Sequence, residues 1–193
     1  MTDSTDRLPL LFLDVDGPLI PFGPPPPEHP DGHPTYRTSH RAGASNPLLD
    51  RIDPRHGPRL AALPCAALWA TTWEDEANEC VAPRLGLPPL PVVHFPETLP
   101  EPFPEAIAPD GSGSGPGAPG WPPGLHWKTP VLVARAAGRP FAWVDDEISA
   151  ADRAWVEVHH PGPALLLRVD PRRGLTRADY RVLDGWLRGA VTG

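Results

Sequence analysis

The sequence predicts a three-layer α/β fold built on a central parallel sheet of about five strands. Three observations predict it. Five short apolar runs carry no polar alternation, which fits strands buried on both faces. Helical segments fall between them, and strands alternating with helices build parallel βαβ units. Acidic pairs stand directly after the first and the fourth run, where a parallel sheet gathers its ligands.

The elements follow in order. Leu8 to Leu13 (LPLLFL) is the first run, stopped by Asp14. Residues 21–46, rich in Pro, Gly and His, fit neither period and read as a proline-rich insertion. Pro47 to Leu63 is predicted helical, with Asn46 as N-cap and Pro47 at the first helical position. Ala66 to Ala70 is the second run, stopped by Thr71. A helix is predicted from Glu74 to Leu85, with acids in its first turn and Gly86 just past its end. Pro91 to Phe95 (PVVHF) is the third run. Residues 96–124 hold GSGSGPGAPG between prolines and are predicted to be a flexible loop, with a lid over the site as one role for it. Thr129 to Ala137 is a helix ending at Gly138. Phe141 to Val144 (FAWV) and Ala164 to Leu167 (ALLL) are the last two runs, and Thr176 caps a closing helix that reaches Arg188.

At 193 residues with 40% hydrophobic content, the chain has the length and core of one domain, 1–193. Its 31 prolines and 18 glycines, roughly a quarter of the residues, approach low-complexity levels, yet they cluster in loops and leave the apolar runs intact. A net charge of −7 argues against a protein that coats nucleic acid, since phosphate binding depends on Lys and Arg. Cys65 and Cys80 read as buried free thiols. The polar, acidic N-terminus and the lack of a long apolar stretch predict a cytoplasmic address and no membrane partner. The eight histidines fit no metal-ligand spacing and are assigned loop and surface roles.

The chemistry rests on where the acids sit. Asp14 and Asp16 follow the first run as D-V-D-G-P-L, and Asp145 and Asp146 follow the fourth as V-D-D-E. In a parallel sheet both pairs converge on one crevice. Two like charges about 4 Å apart repel by roughly 4 kcal/mol at an effective dielectric near 20, so the group needs a cation or raised pKa values. An all-oxygen site suits Mg²⁺. Taken singly, each motif has a plainer reading: a turn at Asp14–Asp16, helix caps at Thr71, Thr72 and Asp145–Asp146, a solvated lysine at Lys128. Glu147 reads as solvated. Trp69, Trp73, Trp127 and Trp143 each adjoin a motif and read as core or pocket wall.

Taken together, D-x-D-G-x-L after the first strand, an apolar strand ending in Thr71, a downstream Lys128 and the D-D after a later strand resemble the four motifs of the haloacid dehalogenase (HAD) superfamily, in order, from Leu8 to about Asp146. The resemblance implies a Rossmann-like HAD fold and a Mg²⁺-dependent phosphohydrolase acting on a phosphomonoester. Asp14 would be the nucleophile and form an aspartyl-phosphate. Asp16 would be general acid and base, with its backbone carbonyl on the metal. Thr71 would hold a phosphoryl oxygen, with Thr72 as stand-in. Lys128 would neutralise charge on nucleophile and phosphate. Asp145 would contact the metal directly, and Asp146 directly or through water. Pro18 departs from the family's usual Thr or Val and removes an N–H from the motif loop.

Neither insertion has the apolar periodicity of an independent cap domain, so the resemblance implies a capless or minimally capped site open to bulky substrates. Residues 66–95 also resemble the HAD domain of Swiss Army Knife RNA repair proteins, which points to a nucleic-acid or nucleotide end as substrate. The arginines from Arg168 to Arg188 would favour this if they line one face. A phosphorylated substrate is the expected partner, with no obligate protein partner. The alternatives are a catalytically silent HAD-like binding module and a phosphotransferase of the same fold.

Overall fold

The two faces of the sheet are decided by alternation along each strand. In the computed structural model, which describes residues 8–36, 46–95 and 121–192, β1 (Leu10–Leu13), β2 (Ala66–Trp69), β3 (Phe141–Asp145) and β4 (Ala164–Arg168) form one parallel sheet in the order β2-β1-β3-β4. Successive side chains point to opposite faces. Leu11, Leu13, Trp69, Ala142 and Val144 therefore join one core, and Leu10, Phe12, Leu68, Phe141 and Trp143 join the other. The helices α1 (His56–Ala61), α2 (Ala82–Leu85) and α5 (Arg177–Thr192) cover the first face, and α3 (Lys128–Ala136) and α4 (Ala150–His159) cover the second. The result is the expected three-layer, Rossmann-like α/β arrangement.

The sheet has four strands among the described residues, not five. Residues 91–95 contribute one bridge, Trp69 to Val92, held by Trp69 N–H on the Pro91 carbonyl at 2.9 Å and Val93 N–H on the Trp69 carbonyl at 2.8 Å. Pro88, Pro89 and Pro91 have no N–H to extend the ladder.

The helix expected over 47–63 is broken. Asn46 caps as predicted, its Oδ1 accepting from Leu48 N–H at 3.0 Å, but the segment runs as a 3₁₀ turn, Pro47–Arg51, before α1 starts at His56. Pro54 disfavours helical geometry in Asp53 and ends the first piece. The helix expected from Glu74 is also altered. Glu74 itself has φ of +46°, and a π turn at Ala77–Val81 precedes α2. Pro83 lacks the N–H that a regular helix would place on Glu79, and the wider turn avoids the clash. Gly86 closes α2 in the left-handed region, as expected. The helix α4 is capped by Ser149, in a reciprocal pair with Asp152, and not by Asp145 or Asp146.

His56 and His160 are buried, contrary to the surface role expected of the histidines. His56 Nδ1 lies 2.9 Å from the Tyr180 hydroxyl, and burial pushes its pKa down to about 4 against the opposing pull of Asp53. A histidine kept neutral in the fold contributes stability above its unfolded pKa near 6.5, and that stability is lost as pH falls towards 4. The shift corresponds to roughly 3 kcal/mol at most. Urea unfolding at pH 7 and pH 4.5 should therefore show a steeper acid loss in the wild type than in His56→Gln. Parallel losses would remove His56 as the cause. The thiols Cys65 and Cys80 are free and half-buried. Among the described residues, no helix is long and apolar enough to cross a membrane.

Candidate active site

From β1 the chain crosses to β2 on one side, and from β3 it crosses to β4 on the other. The adjacent β1–β3 pair is thus the topological switch point, where an open α/β sheet presents its ligand crevice. Asp14 follows β1 directly, Asp145 ends β3, and Asp146 comes next. All three are buried, and each offers a carboxylate oxygen within 4.8 Å of the others.

Lys128, the first residue of α3, reaches this cluster from the second helical layer. Its Nζ donates to Asp14 Oδ2 at 2.7 Å and to Asp145 Oδ2 at 2.9 Å. Burial alone would lower Lys128, but the two carboxylates overcome it and hold the ammonium above its ordinary value. Burial pushes Asp14 up to about 7, with Lys128 pulling against that rise and Asp145 adding to it. Burial and Asp145 push Asp146 up to about 6. Asp145 stays below the usual carboxylate range: burial opposes this, and Lys128 together with the Glu147 N–H outweighs it. Three carboxylates against one ammonium leave an excess of negative charge that a divalent cation would neutralise. The oxygen donors fit such an ion.

Asp16 is half-buried, and its Oδ2 accepts from Trp73 Nε1–H at 2.8 Å. The loop between turns sharply at Gly17, with φ of +81°, and a Cβ there would stand 2.5 Å from Asp146 Oδ1. Gly17 thus lets the first acidic pair approach the second. Gly17→Ala is expected to cost about 1–3 kcal/mol of stability from backbone strain alone and to push Asp146 away from the other carboxylates. Urea unfolding would check it, and an unchanged midpoint would show the contact to be dispensable. Pro18 keeps its carbonyl in use, accepting from Leu175 N–H at 2.9 Å.

Thr71 leaves β2 on the same sheet edge as Asp14, fully buried, its Oγ1 accepting from Trp73 N–H at 3.4 Å. Thr72 is exposed and lines a separate recess with Trp73 and Glu76. Of the two threonines, only Thr71 is enclosed. Trp69 and Trp143 are fully buried, and Trp143 Nε1–H points at Asp145 Oδ2, 3.3 Å away.

Two further residues belong to this neighbourhood. Trp73, expected as packing, also orients Asp16; the signal was its indole N–H, which needs an acceptor when enclosed. His126 lies between Trp127 and Trp143. Its Nδ1 accepts from Lys128 N–H at 3.1 Å, and its Nε2 meets Glu147 Oε2 at 2.9 Å. Glu147, expected to be only solvated, is exposed but paired. His126, Asp145 and Glu147 form a second group of closely spaced ligand atoms, but a His126 ring that accepts at Nδ1 carries its proton at Nε2, where a metal would bind. The C-terminal arginines diverge: Arg168 donates to the Asp146 carbonyl at 2.8 Å, Arg172 pairs with Asp170, and Arg188 pairs with Asp184. Residues 96–120, most of the expected lid, lie outside the described residues.

Compared with protein-family models, curated proteins and solved structures, the chain finds no match.

Proposed function

We propose that the protein is a Mg²⁺-dependent phosphohydrolase that acts on a phosphomonoester through an aspartyl-phosphate on Asp14, with a nucleotide or nucleic-acid end as the substrate class to test first. One observation carries the reading: a buried lysine joins Asp14 to Asp145, beside Asp146, at the switch point of a parallel sheet. A structural ion pair needs one carboxylate. Three, with two of them raised in pKa, describe a site built for a cation and an anionic ligand.

In this reading Asp14 attacks phosphorus with one carboxylate oxygen while Lys128 holds the other. The bond from phosphorus to the leaving oxygen breaks, and Asp16 delivers a proton to that oxygen. Asp16 then takes a proton from water, which attacks phosphorus, frees Asp14 and releases phosphate. Trp73 holds Asp16 Oδ2 and leaves Oδ1 for the proton. Thr71 donates to a phosphoryl oxygen. Mg²⁺, held by Asp14, the Asp16 carbonyl, Asp145 and Asp146, would keep the carboxylates ionised and neutralise phosphoryl charge.

The test is phosphate release from an aryl phosphate with Mg²⁺ and with chelator. Release that requires Mg²⁺ is expected. Folded protein that releases none, and that gains no thermal stability from Mg²⁺ with beryllium fluoride, would end the proposal.

A further inference from the structure

A second recess opens on the other side of the loop that follows β1. It encloses about 290 Å³ between the proline-rich segment, the residues leading into α1 and the loop after β4, close to the size at which small-ligand pockets begin. None of the four aspartates of the candidate active site lines it. Its charge is also opposite to theirs. Arg51, Arg59, Arg172 and Arg173 line it against Glu28 and Asp53, in a chain whose net charge is −7.

The acids nearby are already engaged. Glu28 pairs with Arg173 at 2.7 Å, Asp170 with Arg172 at 2.9 Å, and Asp53 with Arg55 at 2.7 Å. These pairs close the walls, and Phe22 N–H on the Pro171 carbonyl at 2.9 Å ties the proline-rich segment to the loop after β4. Arg51 and Arg59 are left without a carboxylate among the described residues. Arg51 donates Nη1–H to the Pro21 carbonyl at 2.8 Å, and Arg59 stands over the Tyr180 ring at 5.6 Å. Each guanidinium carries five N–H donors, so most remain available. Both side chains are half-buried, and a partly desolvated cation with no counter-ion is unfavourable until an anion arrives. His33, also in the lining, bonds the Gly23 carbonyl through Nε2 and leaves Nδ1 buried with no partner.

We propose that this recess binds the phosphate group of a phosphorylated small molecule, with Arg51 and Arg59 as its counter-ions. Two guanidinium groups with N–H donors to spare match the charge of a phosphate dianion, and a planar fork can meet its oxygens in pairs. A single carboxylate would leave one of them unpaired. The proline-rich insertion acquires a role from this as one wall of a binding site, and the site stands apart from the phosphohydrolase reading.

Calorimetric titration of the full chain in chelator tests it, because without a cation the acidic centre repels anions. The probes are inorganic phosphate, AMP and adenosine. Saturable binding of phosphate and AMP is expected, with none for adenosine. Binding should weaken about tenfold or more in Arg51→Gln and in Arg59→Gln, each checked for wild-type circular dichroism. It should be unchanged in Asp14→Asn. Arg59→Lys, which keeps the charge over Tyr180 but not the fork, should fall between. AMP tighter than phosphate identifies a nucleotide ligand, and equal affinities identify free phosphate. The proposal is overturned by the absence of saturable binding, by adenosine binding as well as AMP, by indifference to both arginine substitutions, or by loss of binding in Asp14→Asn, which would place the anion at the carboxylates.

Discussion

Asp14→Asn is expected to lower Mg²⁺-dependent phosphate release by three orders of magnitude or more while leaving the fold intact. An amide has no anionic oxygen to attack phosphorus, so the two-step route is closed, and a thousandfold loss corresponds to about 4 kcal/mol of barrier. The fold should survive because the substitution removes charge from an overcrowded centre. Lys128 keeps its bond to Asp145 at 2.9 Å, and the Asn oxygen can still accept from Nζ. With Asp14 held near pKa 7 chiefly by burial, the cost of ionising it in the fold accumulates as pH rises from about 4 and is complete above 7. Asn should therefore be as stable as wild type, or more so, in chelator at pH 8. Comparison of turnover and urea midpoint separates the two effects. Wild-type turnover in Asp14→Asn would remove the nucleophile from the proposal, and a collapsed midpoint would show that Asp14 is structural.

The difference between what could and could not be read beforehand is one of range. The strands and the position of the acids were legible because apolar runs such as Leu8–Leu13 and Phe141–Val144 fit strands buried on both faces, as in a parallel sheet, and such sheets present ligands at one end. Asn46 and Gly86 were legible as caps because each acts on its own turn. The fifth strand and the two long helices were over-read, since periodicity alone does not register that Pro54, Pro83 and Pro91 each remove an N–H. The partners of the site were legible only in part: the Trp73 indole N–H calls for an acceptor when enclosed but does not say which. Nothing local to Trp73 announces a bond to Asp16, 57 residues away, and nothing local to Arg51 or Arg59 shows that other side chains have claimed the neighbouring acids. Long-range pairing is set by topology. The exception is Lys128, placed at the site only through its resemblance to an ordered motif set.

That lysine carries the largest expected effect on stability. Lys128→Met should destabilise the protein by about 3–5 kcal/mol in chelator at pH 8, the range found when one partner of a buried ion pair is removed. Methionine fills most of the volume, so the loss reports charge rather than a cavity. Asp14 and Asp145 would be left facing one another without the ammonium that now touches both, beside Asp146. Two conditions should restore part of the loss. Acidification protonates the orphaned carboxylates, so the variant should gain stability as pH falls from 8 towards 5, where the wild type changes less. Millimolar Mg²⁺ should act in the same direction without any change of pH, because a cation held by the same carboxylates replaces the missing charge. Urea midpoints across this grid decide the matter. A variant as stable as wild type in chelator would mean that the lysine does not balance the acidic centre. A destabilised variant indifferent to Mg²⁺ at every pH would mean that the carboxylates do not hold the ion, and the metal-dependent mechanism would fall with them.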